Sequence, residues 1–265
     1  VITGPGEVLV FNSGHECNNL TIQTGALLRN RNSAHRILDV HGDVINHGTI
    51  TNAGSWDFTL RIEGDIENYG TWESYSTRLT GYGTHNLSCG ATNSFSGFYF
   101  IAEDTTGNLT ALTDVTFYDS RVSLNNRTLI LSASKGSGFK LVRDEATTYL
   151  ENAVITGNTN TIYLQNEAYL NNVDISDAVL EGKVKLQGNC NFYGDIMVTD
   201  TLMNTSTNVV LDVFGPLTNN GIITQSGSWD LNIYFFNDVI NNGIWNNERI
   251  YFGGATDQSI TCLND

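Results

Sequence analysis

The stretch Gly42-Asp-Val-Ile-Asn-His-Gly-Thr-Ile50 returns one repeat later as Gly64-Asp-Ile-Glu-Asn-Tyr-Gly-Thr-Trp72. Val40 answers to Ile62, Asn46 to Asn68, Gly48 to Gly70 and Ile50 to Trp72. The frame appears again as Gly215-Pro-Leu-Thr-Asn-Asn-Gly-Ile-Ile223 and as Asn237-Asp-Val-Ile-Asn-Asn-Gly-Ile-Trp245, with Asn219, Gly221, Asn241 and Gly243 in the same slots. A repeat of this kind is the mark of a stacked architecture in which each unit covers the next. One rung holds two or three short strands, and rungs pair in parallel at about 4.8 Å. The expectation is an all-β, right-handed parallel β-helix with rungs of about 20–22 residues and almost no helix. A β-sandwich would explain the alternation of apolar residues but not the register. Asn46 is expected above Asn68 and Asn219 above Asn241, hydrogen-bonded along the stack. These Asn are assigned to tight turns, and Gly48, Gly70, Gly221 and Gly243 to positive φ.

A longer period encloses the short one. The segment 13–89 lies on 186–262 without a gap. Gly54-Ser-Trp-Asp57 meets Gly227-Ser-Trp-Asp230, and Cys17 and Cys89 meet Cys190 and Cys262. The chain is therefore read as one solenoid over 1–265, with a duplication at its two ends and less regular rungs over 90–185. Trp56, Phe58, Leu60 and Ile62 alternate with polar residues, as do Trp229, Leu231, Ile233 and Phe235, so each set is assigned to the interior of a strand. Trp72 and Trp245 occupy the apolar slots of Ile50 and Ile223. All four Trp are thus expected in the core.

Apolar residues make up 40% of the chain and charged residues only 15%, so its polarity comes from Asn, Thr, Ser and Gly. The net charge of −15 repels phosphate backbones and argues against nucleic acid as a partner. No apolar run reaches the length of a membrane span, so membrane insertion is not expected.

The phrases Asn18-Asn-Leu-Thr-Ile22 and Gly42–Ile50 resemble the parallel β-helix repeats of large secreted surface proteins and adhesins of Bacteroidetes-like bacteria. The resemblance implies an extracellular or cell-surface location, and a role in adhesion, glycan binding or scaffolding. A fold does not by itself establish an activity.

Tyr69, Tyr163 and Tyr234 fall out of phase with the apolar face and are the candidate glycan platforms, with Asp57, Arg61 and Asp230 as polar neighbours. The Cys pairs, Cys17 with Cys89 and Cys190 with Cys262, are each about three rungs apart, or about 14 Å along the axis. That is beyond disulfide reach in a regular stack. Pairing, free thiols and an inter-chain link all stay open. His41 and His47 are assigned to the surface, no metal site is expected, and a calcium requirement is left open. Neither Gly-x-Ser-x-Gly nor a phosphate loop occurs, and the carboxylate and basic clusters of polysaccharide-degrading β-helices are missing. The first reading is a non-catalytic module that binds a polysaccharide or another surface. The alternative is a structural stalk or an assembly subunit, with end-to-end association through unpaired strand edges; a lyase or hydrolase ranks last. A binder should show one flat lateral face with outward aromatic and amide side chains in register. A stalk should show small, varied outer positions.

Overall fold

The computed structural model describes residues 1–31, 33–103, 107–132, 137–144, 146–157, 162–205 and 207–263. Within them the chain forms 33 strands and no helix, wound as a parallel β-solenoid of about 11 turns. Most turns lay one strand on each of three faces. Face 1 begins with His15–Cys17, Arg36–Val40, Phe58–Ile62 and Ser76–Leu79. Face 2 begins with Leu20–Ile22, Val44–Asn46, Ile66–Asn68 and His85–Cys89. Face 3 begins with Glu7–Val10, Leu27–Asn30, Thr49–Thr51 and Thr71–Glu73, and Phe95 bridges Trp72 to Phe117 to carry it onward.

The register is the one the repeat demands. Val44 sits on Ile66, Asn46 on Asn68, Ile50 on Trp72 and Asn219 on Asn241. Identical slots stack because equivalent residues in successive turns face the same interior. Val44, Ile50, Phe58, Leu60, Ile62 and Ile66 are completely buried. At about 2 kcal/mol per buried side chain of this size, the stacked columns are the main source of stability. In the irregular middle the core turns aromatic, with Trp72, Phe95, Phe117 and Phe139 in successive ring contacts 5.3–5.8 Å apart.

Rung length varies there. Tyr169 stacks on Lys185 across a short rung, and Arg121 on Tyr149 across a long one. Corners absorb the difference while the strands hold register. Three long strands, Arg121–Leu131, Thr148–Thr156 and Glu167–Ser176, turn from face 1 to face 2 without interruption. Asn125, Asn126, Asn152 and Asn172 occupy left-handed backbone at those bends, with φ from 47 to 62°.

The duplicated units do not sit on the same faces. Arg36–Val40 lies on face 1, and eight stacked strands later that face has reached Thr201–Asn204. The equivalent of Arg36–Val40 is Val209–Val213, and it pairs on face 2 with Cys190–Tyr193. The second copy is therefore rotated by one face about the axis.

Two sequence expectations are corrected. Gly48, Gly70, Gly221 and Gly243 do not have positive φ. They are glycine because the preceding turn's carbonyl lies directly against them: a Cβ on Gly70 would stand 2.2 Å from the Gly48 oxygen, and one on Gly243 2.1 Å from the Gly221 oxygen. Their Asn neighbours are likewise not turn residues. Asn46, Asn68 and Asn219 are fully buried strand-end residues whose amides point inward. Asn46 Nδ2 donates to Asn68 Oδ1 at 2.9 Å, and Asn219 Nδ2 to Asn241 Oδ1 at 2.7 Å. Each Oδ1 of these three buried residues also accepts the amide N–H two positions on, from Gly48, Gly70 and Gly221.

The second correction concerns Trp. Trp72 is buried, its indole N–H reaching Thr77 Oγ1 at 2.9 Å, and Trp245 is half-buried against Phe235. Trp56 and Trp229 are 37% and 45% exposed. Alternation fails there because the strands begin later, at Phe58 and Leu231. Trp56 and Trp229 belong to the preceding turns, opened by Gly54 and Gly227 at φ of 63° and 60°.

All four cysteines are free. Cys17 and Cys89 are separated by the stacked strands Arg36–Val40, Phe58–Ile62 and Ser76–Leu79, as the rung arithmetic requires. Cys89 and Cys262 continue the Asn columns, Cys89 on Asn68 and Cys262 on Asn241. Burial pushes the Cys89 thiol up to about 11 and the Cys190 thiol to about 12. A thiol-specific reagent at mildly alkaline pH is expected to modify exposed Cys262 first and Cys17 more slowly, with Cys89 and Cys190 reacting only on unfolding, since the thiolate is the nucleophile. Mass spectrometry of timed samples checks this; four equal rates would contradict it.

Candidate functional site

Alternation in a strand puts every second side chain outside, and parallel register puts those side chains in columns along the axis. On face 3 one such column is mixed and small, running Glu7, Leu27, Thr49 and Thr71. Face 1 differs in its middle. One outward column there runs Tyr99, Arg121, Tyr149, Tyr169, Lys185 in five successive turns. It is about 19 Å long at the rung spacing.

The column is held rigid by its own chemistry. The Arg121 guanidinium lies 5.3 Å from the Tyr149 ring centre, the Tyr149 and Tyr169 rings are 5.1 Å apart, and Lys185 Nζ is 4.9 Å from the Tyr169 ring. Cation–π contact favours this alternation of rings and cations. Arg121 also grips Glu151 with two bonds of 2.7 and 2.8 Å, which raises its affinity for the proton. Lys185 Nζ donates to Glu167 Oε1 and to Tyr169 Oη, both at 2.9 Å, and Arg143 reaches Glu167 at 2.6 Å. Burial alone would raise the Glu167 carboxyl, yet the bonds from Lys185 and Tyr169 hold it below the ordinary range. Arg121, Arg143, Lys183 and Lys185 thus face two carboxylates, Glu151 and Glu167, on an otherwise acidic protein.

Beyond Lys185 the outward side chains become smaller and a polar groove of about 430 Å³ opens. Tyr169 and Lys185 form one end, and Gln187, Met203, Thr205 and Ser226 line the rest. Because the Tyr149 and Tyr169 rings pack on each other between Arg121 and Lys185, the column offers ring edges, hydroxyls and N–H donors to solvent. At the corner beside it, Tyr75 and Phe98 stack at 5.5 Å, and Phe98 is exposed.

Face 2 carries a second aromatic ladder nearer the C-terminal end. Tyr193, Phe214 and Phe236 stack at 4.9 and 4.7 Å with planes within 12°, and Tyr234 stacks on Tyr251 at 4.4 Å. Rings so arranged turn their faces toward one another along the axis. Tyr193 closes the ladder and borders a groove of about 290 Å³ with Thr156, Asp174 and Ser176.

The residues singled out from sequence do not converge. Tyr69 lies at the corner between faces 2 and 3, stacked on His47 at 5.1 Å. Tyr163 is on face 3 under Lys140, and Tyr234 is on face 2. Asp57 pairs with His35 at 2.8 Å, Arg61 with Asp39 at 3.7 Å and Asp230 with Arg249 at 3.3 Å. His41 is exposed, as expected, between Glu63 at 3.0 Å and Glu16 at 3.3 Å; the bond to Glu63 and then that to Glu16 raise its pKa. No group of three or more His, Cys, Asp or Glu among the described residues is arranged to hold a metal ion.

No protein-family model matches the chain, and neither a curated protein nor a solved structure does. The recurrence of Tyr149 as Tyr169 was the sequence signal for the face 1 column. Arg121 and Lys185 carry no such signal, because their spacings to those tyrosines break the period.

Proposed function

We infer that the chain is a rigid, non-catalytic β-solenoid module that binds a polysaccharide along its lateral surface. The observation that carries this is the outward column Tyr99–Arg121–Tyr149–Tyr169–Lys185 with the groove that continues it. It is straight, long and narrow, and its donors are fixed before any ligand arrives, which lowers the entropy cost of binding an extended polymer. Tyrosine edges, guanidinium and ammonium groups, and the amide and hydroxyls of Gln187, Thr205 and Ser226 suit a ligand dense in hydroxyls. An extracellular or cell-surface site of action fits this reading and the composition. The stalk reading draws on the small outward threonines of face 3, and the two make opposite predictions.

The test is retention on insoluble polysaccharides of several classes, with and without calcium. Saturable binding by the wild type is expected, with the Tyr149→Ser, Tyr169→Ser double variant at least about tenfold weaker, the loss of one or two good contacts. Absence of retention on every polymer, with the circular dichroism of an intact fold, contradicts this function and leaves the stalk.

A further inference from the structure

The two Gly-Ser-Trp-Asp turns are the longest identical run shared by the duplicated units in register, and each leaves its indole partly exposed. Around them the copies have diverged: Phe58 stands against Leu231, Thr59 against Asn232, Arg61 against Tyr234. The glycine has a backbone reason, since Gly54 and Gly227 have positive φ. The turn as a whole is anchored by one buried amide in each copy. Asn30 Nδ2 donates to the Trp56 carbonyl at 2.9 Å, and its Oδ1 accepts the Ala53 N–H. Asn204 Nδ2 donates to the Trp229 carbonyl at 3.0 Å, and its Oδ1 accepts the Ser226 N–H at 2.7 Å. Both Asn are fully buried.

This anchoring uses only the tryptophan backbone, so any side chain would satisfy it. The indoles instead stand at corners, among the exposed large apolar groups of the surface. Trp56 makes an edge contact with His35 at 5.2 Å. A carboxylate follows each indole, Asp57 held by His35 and Asp230 by Arg249. Ser226, immediately before the second turn, lines the groove that continues the face 1 column.

We propose that the Gly54–Asp57 and Gly227–Asp230 turns are two equivalent sugar-contact points, each offering an indole to the apolar side of a pyranose and a neighbouring carboxylate to its hydroxyls. The proposal rests on the polysaccharide reading above and adds a second kind of contact to it. Eight turns and one face separate the points, about 40 Å along the axis. A single polymer chain engaging both must wind partway round the rod and gains from their linkage.

Retention on the polymer that holds the wild type, from a panel of xylan, mannan, β-glucan and polygalacturonate, tests this. Trp56→Ala and Trp229→Ala are each expected to weaken binding severalfold, and the double variant on the order of a hundredfold, as linked contacts do. Acrylamide quenching of tryptophan fluorescence is expected to fall on addition of a soluble form of that polymer. A double variant that binds within twofold of wild type, or quenching unchanged by saturating polymer, overturns the proposal. If that variant binds normally while the Tyr149→Ser, Tyr169→Ser variant does not, the module reading stands and the tryptophan proposal fails. If the wild type binds no polymer, both fail.

Discussion

Asn68→Ala is expected to destabilise the solenoid by about 4 kcal/mol, among the largest single-site effects in the chain. Asn68 Oδ1 accepts from Asn46 Nδ2 at 2.9 Å and from the Gly70 N–H at 3.3 Å, and its Nδ2 donates to the Ser94 carbonyl at 2.9 Å. Truncation removes these partners at once inside a fully buried column. Each buried group left unsatisfied costs about 1–3 kcal/mol, whereas a hydrogen bond itself contributes only about 1 kcal/mol net. Asn46 retains a bond to the Thr71 carbonyl, so the sum is not the maximum. Urea unfolding followed by circular dichroism measures the change. Asn68→Asp should not restore stability, because a carboxylate cannot donate to Ser94. A loss below about 1 kcal/mol would mean that water enters the column and satisfies the orphaned groups.

Gly70→Ala is expected to cost about 3 kcal/mol or more, as overpacking against backbone does. The added methyl would stand 2.2 Å from the Gly48 oxygen and 2.9 Å from the Gly48 nitrogen. No rotamer relieves that contact, so two turns must move apart, and with them the Asn46–Asn68 bond. Gly25→Ala is the matched control. Gly25 has φ of 80° with open space around its Cβ position, so only conformational strain of about 1–2 kcal/mol applies. Thermal unfolding of the two variants separates the mechanisms. A loss at Gly70 no larger than the loss at Gly25 would contradict close contact between turns as the reason for glycine there.

These two effects mark how far the fold could be read from the repeat. Register was legible because a stacked turn must place Asn on Asn and Ile on Trp at the same slot. The chemical reason for the glycines was not, since positive φ and close approach leave the same residue in the sequence. Trp56 was misplaced because period-two counting carries on through a turn that only its glycine betrays. The face 1 column was hidden for a different reason. Its members are unevenly spaced, closest from Tyr169 to Lys185 and farthest from Arg121 to Tyr149, and only the folded corners bring Arg121 and Lys185 into line with the tyrosines. The rotation between the duplicated units was also invisible, because a gapless alignment of 13–89 on 186–262 does not say how many faces the intervening chain turns through.

Hydroxyl-radical footprinting of the wild-type protein, with and without a polysaccharide that retains it, tests the central claim most directly. A polymer lying along face 1 should protect Tyr99, Arg121, Tyr149, Tyr169 and Lys185 and their neighbours, a series that recurs once per turn and matches the column. Protection confined to one continuous stretch of sequence, or spread evenly over all three faces, would contradict a lateral binding surface.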